Sequence, residues 1–160
     1  ISIALTVLFL SSAALYARMK NWNWRAYKLK FKLHQSMRPT VSNSSQFIAK
    51  GHGLVFKIQP YKRMRRGYTA KKLADYGYRT YTILKRKRIL SRSALDSRRY
   101  MIYGTGYYKG RKAYFGLFGV SSTTSRRGVY ARVWWFANSR YAASNKAISY
   151  KIARSVYFHK

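Results

Sequence analysis

The sequence predicts an α+β protein with a mainly antiparallel sheet, two helices, an extended basic arm and an N-terminal extension. Three observations carry this. Several stretches alternate apolar and polar residues with the period of a strand. Two others repeat apolar residues at helical spacing. From residue 54 the order reads strand, arm, strand, helix, strand, loop, strand, helix, strand, with no regular βαβ alternation.

Residues 1–17, ISIALTVLFLSSAALYA, carry no charge. Two readings stand: a short membrane span or anchor, or an apolar helix buried against a neighbour. Residues 18–50 mix aromatics with bases. Within them AYKLKFKL places Tyr27, Leu29, Phe31 and Leu33 on one face of a strand and Lys28, Lys30 and Lys32 on the other. The polar run MRPTVSNSSQ around Pro39 reads as a linker. This places a boundary near residues 38–50, and the chain is read as an N-terminal extension, 1–57, and a domain of residues 58–160. GHGLVFKI is a short strand leading into the domain.

Residues 59–72, QPYKRMRRGYTAKK, are dense in bases and hold no acid. They are expected to be an arm lying on phosphate. YRTYTILKRKRI, 78–89, reads as a strand and basic turn. RILSRSALDSRRYM, 88–101, is expected to be a helix capped by Ser91. On it Arg92 and Arg99 share a face, and Asp96 can pair with both. The glycines of YGTGYYKGRK, 103–112, end that helix. AYFGLFGV (113–120) is an apolar strand, SSTTSRRG (121–128) a basic loop and VYARVWWF (129–136) a strand before the turn ANSR. Ala143, Ala147, Ile148 and Ile152 predict a C-terminal helix, and VYF a last short strand.

Charge narrows the function. Lys and Arg number 34 against 2 acids, a formal charge of +32. That excess repels itself and opposes compaction unless a polyanion neutralises it, so nucleic acid is the expected partner and an anionic membrane the second. With 48% hydrophobic and 18% aromatic residues the chain is no disordered tail. Cysteine is absent, which excludes disulfides and thiolate metal sites. His34, His52 and His159 are far apart in sequence and have no acidic companions, so no metal or cofactor is expected. Asp75 and Asp96 form no recognisable acid–base pair, and an enzyme is not expected.

Residues 58–160 resemble the bacterial-type large-subunit ribosomal protein L-sixteen family. QPYKRMRRG is similar to that family's QPKRTKFRK. RILSRSALDSRRYM resembles its RITARQIEAARRAM, with Arg88, Ile89, Arg92, Arg98, Arg99 and Met101 in register. KGRKAYFGLFGVSSTTSRR and the closing ASNKAISYKIARSVYFHK are similar in pattern. The resemblance implies a structural rRNA-binding protein beside the aminoacyl-tRNA site and the peptidyl-transferase centre. It implies rRNA contacts from Lys62, Arg63, Arg65 and Arg66 in the arm and from Arg88, Arg92, Arg98 and Arg99 in the helix. It places Arg126 and Arg127 near A-site tRNA, with neighbouring ribosomal proteins as further partners. The divergence and the added extension imply a mitochondrial matrix ribosome, and the Ile start is read as a sign of an organelle-encoded chain. Two other classes compete. One is a membrane-anchored basic accessory subunit of an organellar respiratory complex. The other is a non-ribosomal RNA-binding factor.

Overall fold

The computed structural model of the chain describes residues 19–122 and 126–159. The apolar segment 1–17 lies outside them, as does part of the 121–128 loop. Among the described residues the strands are β1 (Met19–Trp24), β2 (Leu29–His34), β3 (Arg38–Ser42), β4 (Phe47–Gly51), β5 (Leu54–Pro60), β6 (Lys85–Asp96), β7 (Arg99–Tyr108), β8 (Arg111–Ser121), β9 (Gly128–Phe136) and β10 (Tyr157–Phe158). Helix α1 (Ala70–Thr80) follows β5, and α2 (Ala142–Ser155) follows β9. One sheet has the order β3-β4-β5-β9-β8-β7-β6, and a small one the order β1-β2-β10. The pairings are antiparallel. The chain is thus α+β with two helices and mainly antiparallel sheet.

The alternation in β2 does what its period predicts. Leu29, Phe31 and Leu33 are buried, while Lys30 and Lys32 stay outside the core. Phe31 meets Phe47 and Phe56 of the large sheet with ring centroids 5.0 and 5.4 Å apart. Phe118, Val133 and Trp135 join this core from β8 and β9, and Ile148 and Ile152 from α2. The large sheet therefore packs one face against the small sheet and α2. Its other face holds Phe115, Leu117 and Ile102 with Ala74 of α1. Here α1 covers β7, β8 and β9.

Helix α1 sits where an arm and a strand were expected. Thr69 caps it, its side chain accepting from Lys72 N at 3.3 Å. Leu73, Ala74 and Gly77 form the buried stripe. Within 59–72, Gln59 and Pro60 belong to β5 and Ala70–Lys72 to α1, so the irregular connection is 61–69. The helix lies directly on Gly119, where an added Cβ would stand 2.1 Å from Ala70 O and 2.7 Å from Ala74 N. Backbone atoms cannot step aside as a flexible side chain can. Gly119→Val is expected to lift α1 and cost about 3 kcal/mol, read as a lower urea midpoint.

The expected arginine helix is a hairpin. Residues 88–96 lie in β6 and 99–101 in β7, with Asp96 opposite Arg99. Asp96 explains the turn: its carboxylate accepts from Arg98 N at 2.8 Å, two residues on, the local bond by which Asp makes turns. The glycines of 103–112 do not end a helix. They lie in β7 and in the next turn, where Lys109 (φ 49°) and Gly110 (φ 78°) both take left-handed backbone, as a tight two-residue hairpin requires. The linker around Pro39 holds β3 and β4, turned by Asn43, whose Oδ1 accepts from Ser45 N and Gln46 N. Strand β5 runs through residue 57 and pairs with β9 from Val55↔Trp134 to Pro60↔Val129. Residues on both sides of position 57 thus share one sheet.

Candidate binding cleft and basic surface

Strands β1 and β2 pair with Trp22 opposite Phe31, Asn21 opposite Lys32 and Asn23 opposite Lys30. Lys32 N donates to Ser155 Oγ at 2.8 Å, which ties β2 to the end of α2. Between these elements opens a cleft of about 730 Å³. Its apolar lining is Met19, Trp22, Phe31 and Tyr157; its cations are Lys30, Lys32, Arg99, Lys151 and Arg154. No acid lines it among the described residues. Trp22 Nε1 is itself buried and has no hydrogen-bond partner.

Arg99 connects the hairpin to this cleft. Its Nε donates to Val156 O at 2.7 Å, and its Nη1 pairs with Asp96 Oδ2. The guanidinium is thereby fixed at the cleft by the β6–β7 turn on one side and the α2–β10 junction on the other. Burial works to raise the Asp96 carboxyl, but bonds from Arg98 and Arg99 outweigh it and hold it below the ordinary value. A depressed carboxyl adds stability above its unfolded value and loses it as pH falls through the folded one. Asp96→Asn should therefore melt below wild type at about pH 6 and converge with it at about pH 2.

The other sequence-predicted residues are dispersed. Lys62, Arg63, Arg65 and Arg66 are exposed on the 61–69 connection. Arg88 and Arg92 lie on the edge strand β6, and Arg98 in the hairpin turn, all exposed. Arg92 and Arg99 do not share Asp96. Arg92 pairs instead with Asp75 of α1, at 2.6 Å. Arg126 is exposed, and Arg127 lies near the half-buried Tyr27. Of the ten, Arg99 lines the cleft. Sequence reading missed Lys30, Lys32, Lys151, Arg154 and Trp22 as a site. The signal available was the basic outer face of β2 and the i,i+3 spacing of Lys151 and Arg154 opposite Ile148 and Ile152.

His34 and His52, distant in sequence, stack with ring centroids 3.9 Å apart, and Tyr141 stacks on His52 at 3.9 Å. Among the described residues no three His, Asp or Glu side chains gather as metal ligands. No helix there is long and apolar enough to cross a membrane; the segment 1–17, on which the membrane-anchored reading rested, lies outside the described residues.

No protein-family model matches the sequence, and no curated protein aligns with it. The fold has solved counterparts. The chain is similar to the Saccharomyces cerevisiae Ran-binding protein Mog1p, with a TM-score of 0.67 and 9% identity over 87% of this chain and 94% of that one. A point mutant of Mog1 gives the same score and identity over 87% and 95%. A protein of Bacteroides thetaiotaomicron gives 0.58 at 7% identity, covering 89% of this chain and 49% of its own. These likenesses overturn the ribosomal L-sixteen resemblance. With it fall the large-subunit rRNA, the A-site tRNA, the neighbouring ribosomal proteins and the role in translation. The fourteen-residue match joined a β-hairpin here to a helix there, so its register carried no structural meaning. The chain has the fold of Mog1p.

Proposed function

We propose that this chain is a non-catalytic protein-binding module that holds an acidic segment of a partner protein in the cleft between β1–β2 and the end of α2. The observation that carries the reading is the cleft's make-up: an aromatic and apolar lining and five cations, of which Arg99 is paired with Asp96, with no acid lining it among the described residues. Carboxylates would meet the rim while the apolar part of the segment covers Met19, Trp22 and Tyr157. Complementary charge of this kind sets partner choice and association rate. The exposed bases of the 61–69 connection would add long-range attraction. Both carboxylates of the chain are engaged by arginines, Asp75 by Arg92 and Asp96 by Arg99, which favours binding over acid–base chemistry.

The fold neighbour is named for binding Ran, which makes Ran the first folded partner to test. Calorimetry with purified Ran at about 0.15 M salt should give one saturable site that a glutamate-rich peptide displaces. Binding of the peptide in the cleft without binding of Ran would move the partner to another acidic protein. Binding of neither would refute the reading.

A further inference from the structure

On the opposite face of the large sheet α1 covers β7, β8 and β9. At its uncovered edge Lys57 of β5 stands directly across from Arg132 of β9. Both are half-buried. Like charges directly opposite one another on a sheet are destabilising, and burial makes each charge dearer still. Among the described residues neither has a carboxylate partner, because the chain's two acidic side chains are committed to Arg92 and Arg99. The Arg132 guanidinium instead stacks 4.7 Å above the Tyr81 ring, which holds it in place without neutralising it.

The two cations line a separate cleft of about 100 Å³, closed by Gln59, Thr80 and Tyr130. That volume is a few waters' worth, at roughly 30 Å³ each. It suits a carboxylate or a phosphate group and is too small for a ring. Thr80 Oγ donates to the α1 carbonyls of Tyr76 and Gly77, so the helix end is already satisfied. The groups left to a ligand are an ammonium, a guanidinium and an amide, all able to donate. We propose that the Lys57–Arg132 cleft is a binding site for a single small oxyanion, distinct from the cleft at β1–β2. Its occupant neutralises the cation pair and is either a free inorganic phosphate or one carboxylate side chain. Burial, and then the Arg132 charge, hold the Lys57 ammonium below the ordinary lysine value. Burial likewise lowers Arg132. An anion between them would reverse both.

The test follows the Lys57 side-chain resonances of the lysine-labelled chain, assigned by Lys57→Arg, at constant ionic strength. Inorganic phosphate and N-acetylglutamate amide are added in separate arms, with chloride as the reference. Saturation at one equivalent is expected, with the Lys57 signal moving at least five times further than that of Lys62 on the exposed connection. Arg132→Gln should abolish saturation, and Arg63→Gln should leave it intact. Response to phosphate alone identifies a free anion; response to the glutamate probe alone identifies an acidic side chain. Should Arg132→Gln not fold, Lys57→Met with a resonance at Tyr130 replaces it. Response to neither probe, or an equal unsaturable drift of all lysines, overturns the proposal.

Discussion

Phe56→Ala should be among the most destabilising single substitutions in the large core, lowering stability by about 3–5 kcal/mol. The ring is fully buried. It touches both sheets, with centroids 5.4 Å from Phe31, 6.2 Å from Phe47 and 6.4 Å from Phe118. Removing it opens a cavity among the rings of Phe31, Phe47 and Phe118, which two sheets hold in place. Domains of this size are stable by only about 5–15 kcal/mol, and here a net charge of +32 opposes compaction. The urea midpoint should fall sharply with little change in slope. Phe56→Leu fills most of the space and should keep more than half of the lost stability. If both variants melt like wild type, the two sheets do not share this core.

Reversing the cleft's outer charges should have the largest effect on binding. Lys32 and Arg154 are both exposed, so Lys32→Glu with Arg154→Glu leaves the core untouched. An exposed ion pair is worth up to about 1 kcal/mol. Replacing two attractions by two repulsions should weaken a glutamate-rich peptide by about thirtyfold, since 1.4 kcal/mol is tenfold. Lys62→Glu with Arg65→Glu removes the same charge from the 61–69 connection and should weaken it about twofold, mainly through association rate. Peptide titration by anisotropy checks both. Equal losses from the two double variants would mean that net charge alone holds the peptide.

Local pattern made part of this fold legible. In β2 the alternation of Leu29, Lys30, Phe31, Lys32 and Leu33 is the burial pattern itself. The apolar runs of β8 and β9 and the helical spacing of Ile148 and Ile152 were equally direct. The hairpin at 85–108 was not legible in the same way. Its strand β6 is an edge, with register shifts and exposed bases, so its burial alternates weakly and a helical wheel fits the same letters. Bases and bulges on an edge strand discourage pairing with other chains, which gives those arginines a use that needs no RNA. Asp96 was the readable clue, because Asp favours turns and disfavours helix interiors. Helix α1 hid behind Lys71 and Lys72, which continue the preceding basic run. Thr69 and the Leu73–Ala74–Gly77 stripe were its signature. The cleft was legible only in fragments, the basic outer face of β2 and the spacing of Lys151 and Arg154, and not as one site. Trp22 and Lys32 come from the first third of the chain, Arg99 from its middle and Lys151 and Arg154 from its last turns of helix, and only the pairing of sheets and helix brings them together.

The central claim is that an acidic polypeptide segment occupies the cleft. Trp22 lines it and reports on it. The most direct measurement is Trp22 fluorescence, taken as wild type minus Trp22→Phe, during titration with a glutamate-rich peptide containing one tyrosine, in the presence of excess RNA of equal charge. The account predicts a saturable shift at one equivalent that RNA does not abolish and that Lys32→Glu with Arg154→Glu removes. A Trp22 signal that stays flat while the peptide binds, or a peptide displaced wholly by RNA, would contradict it.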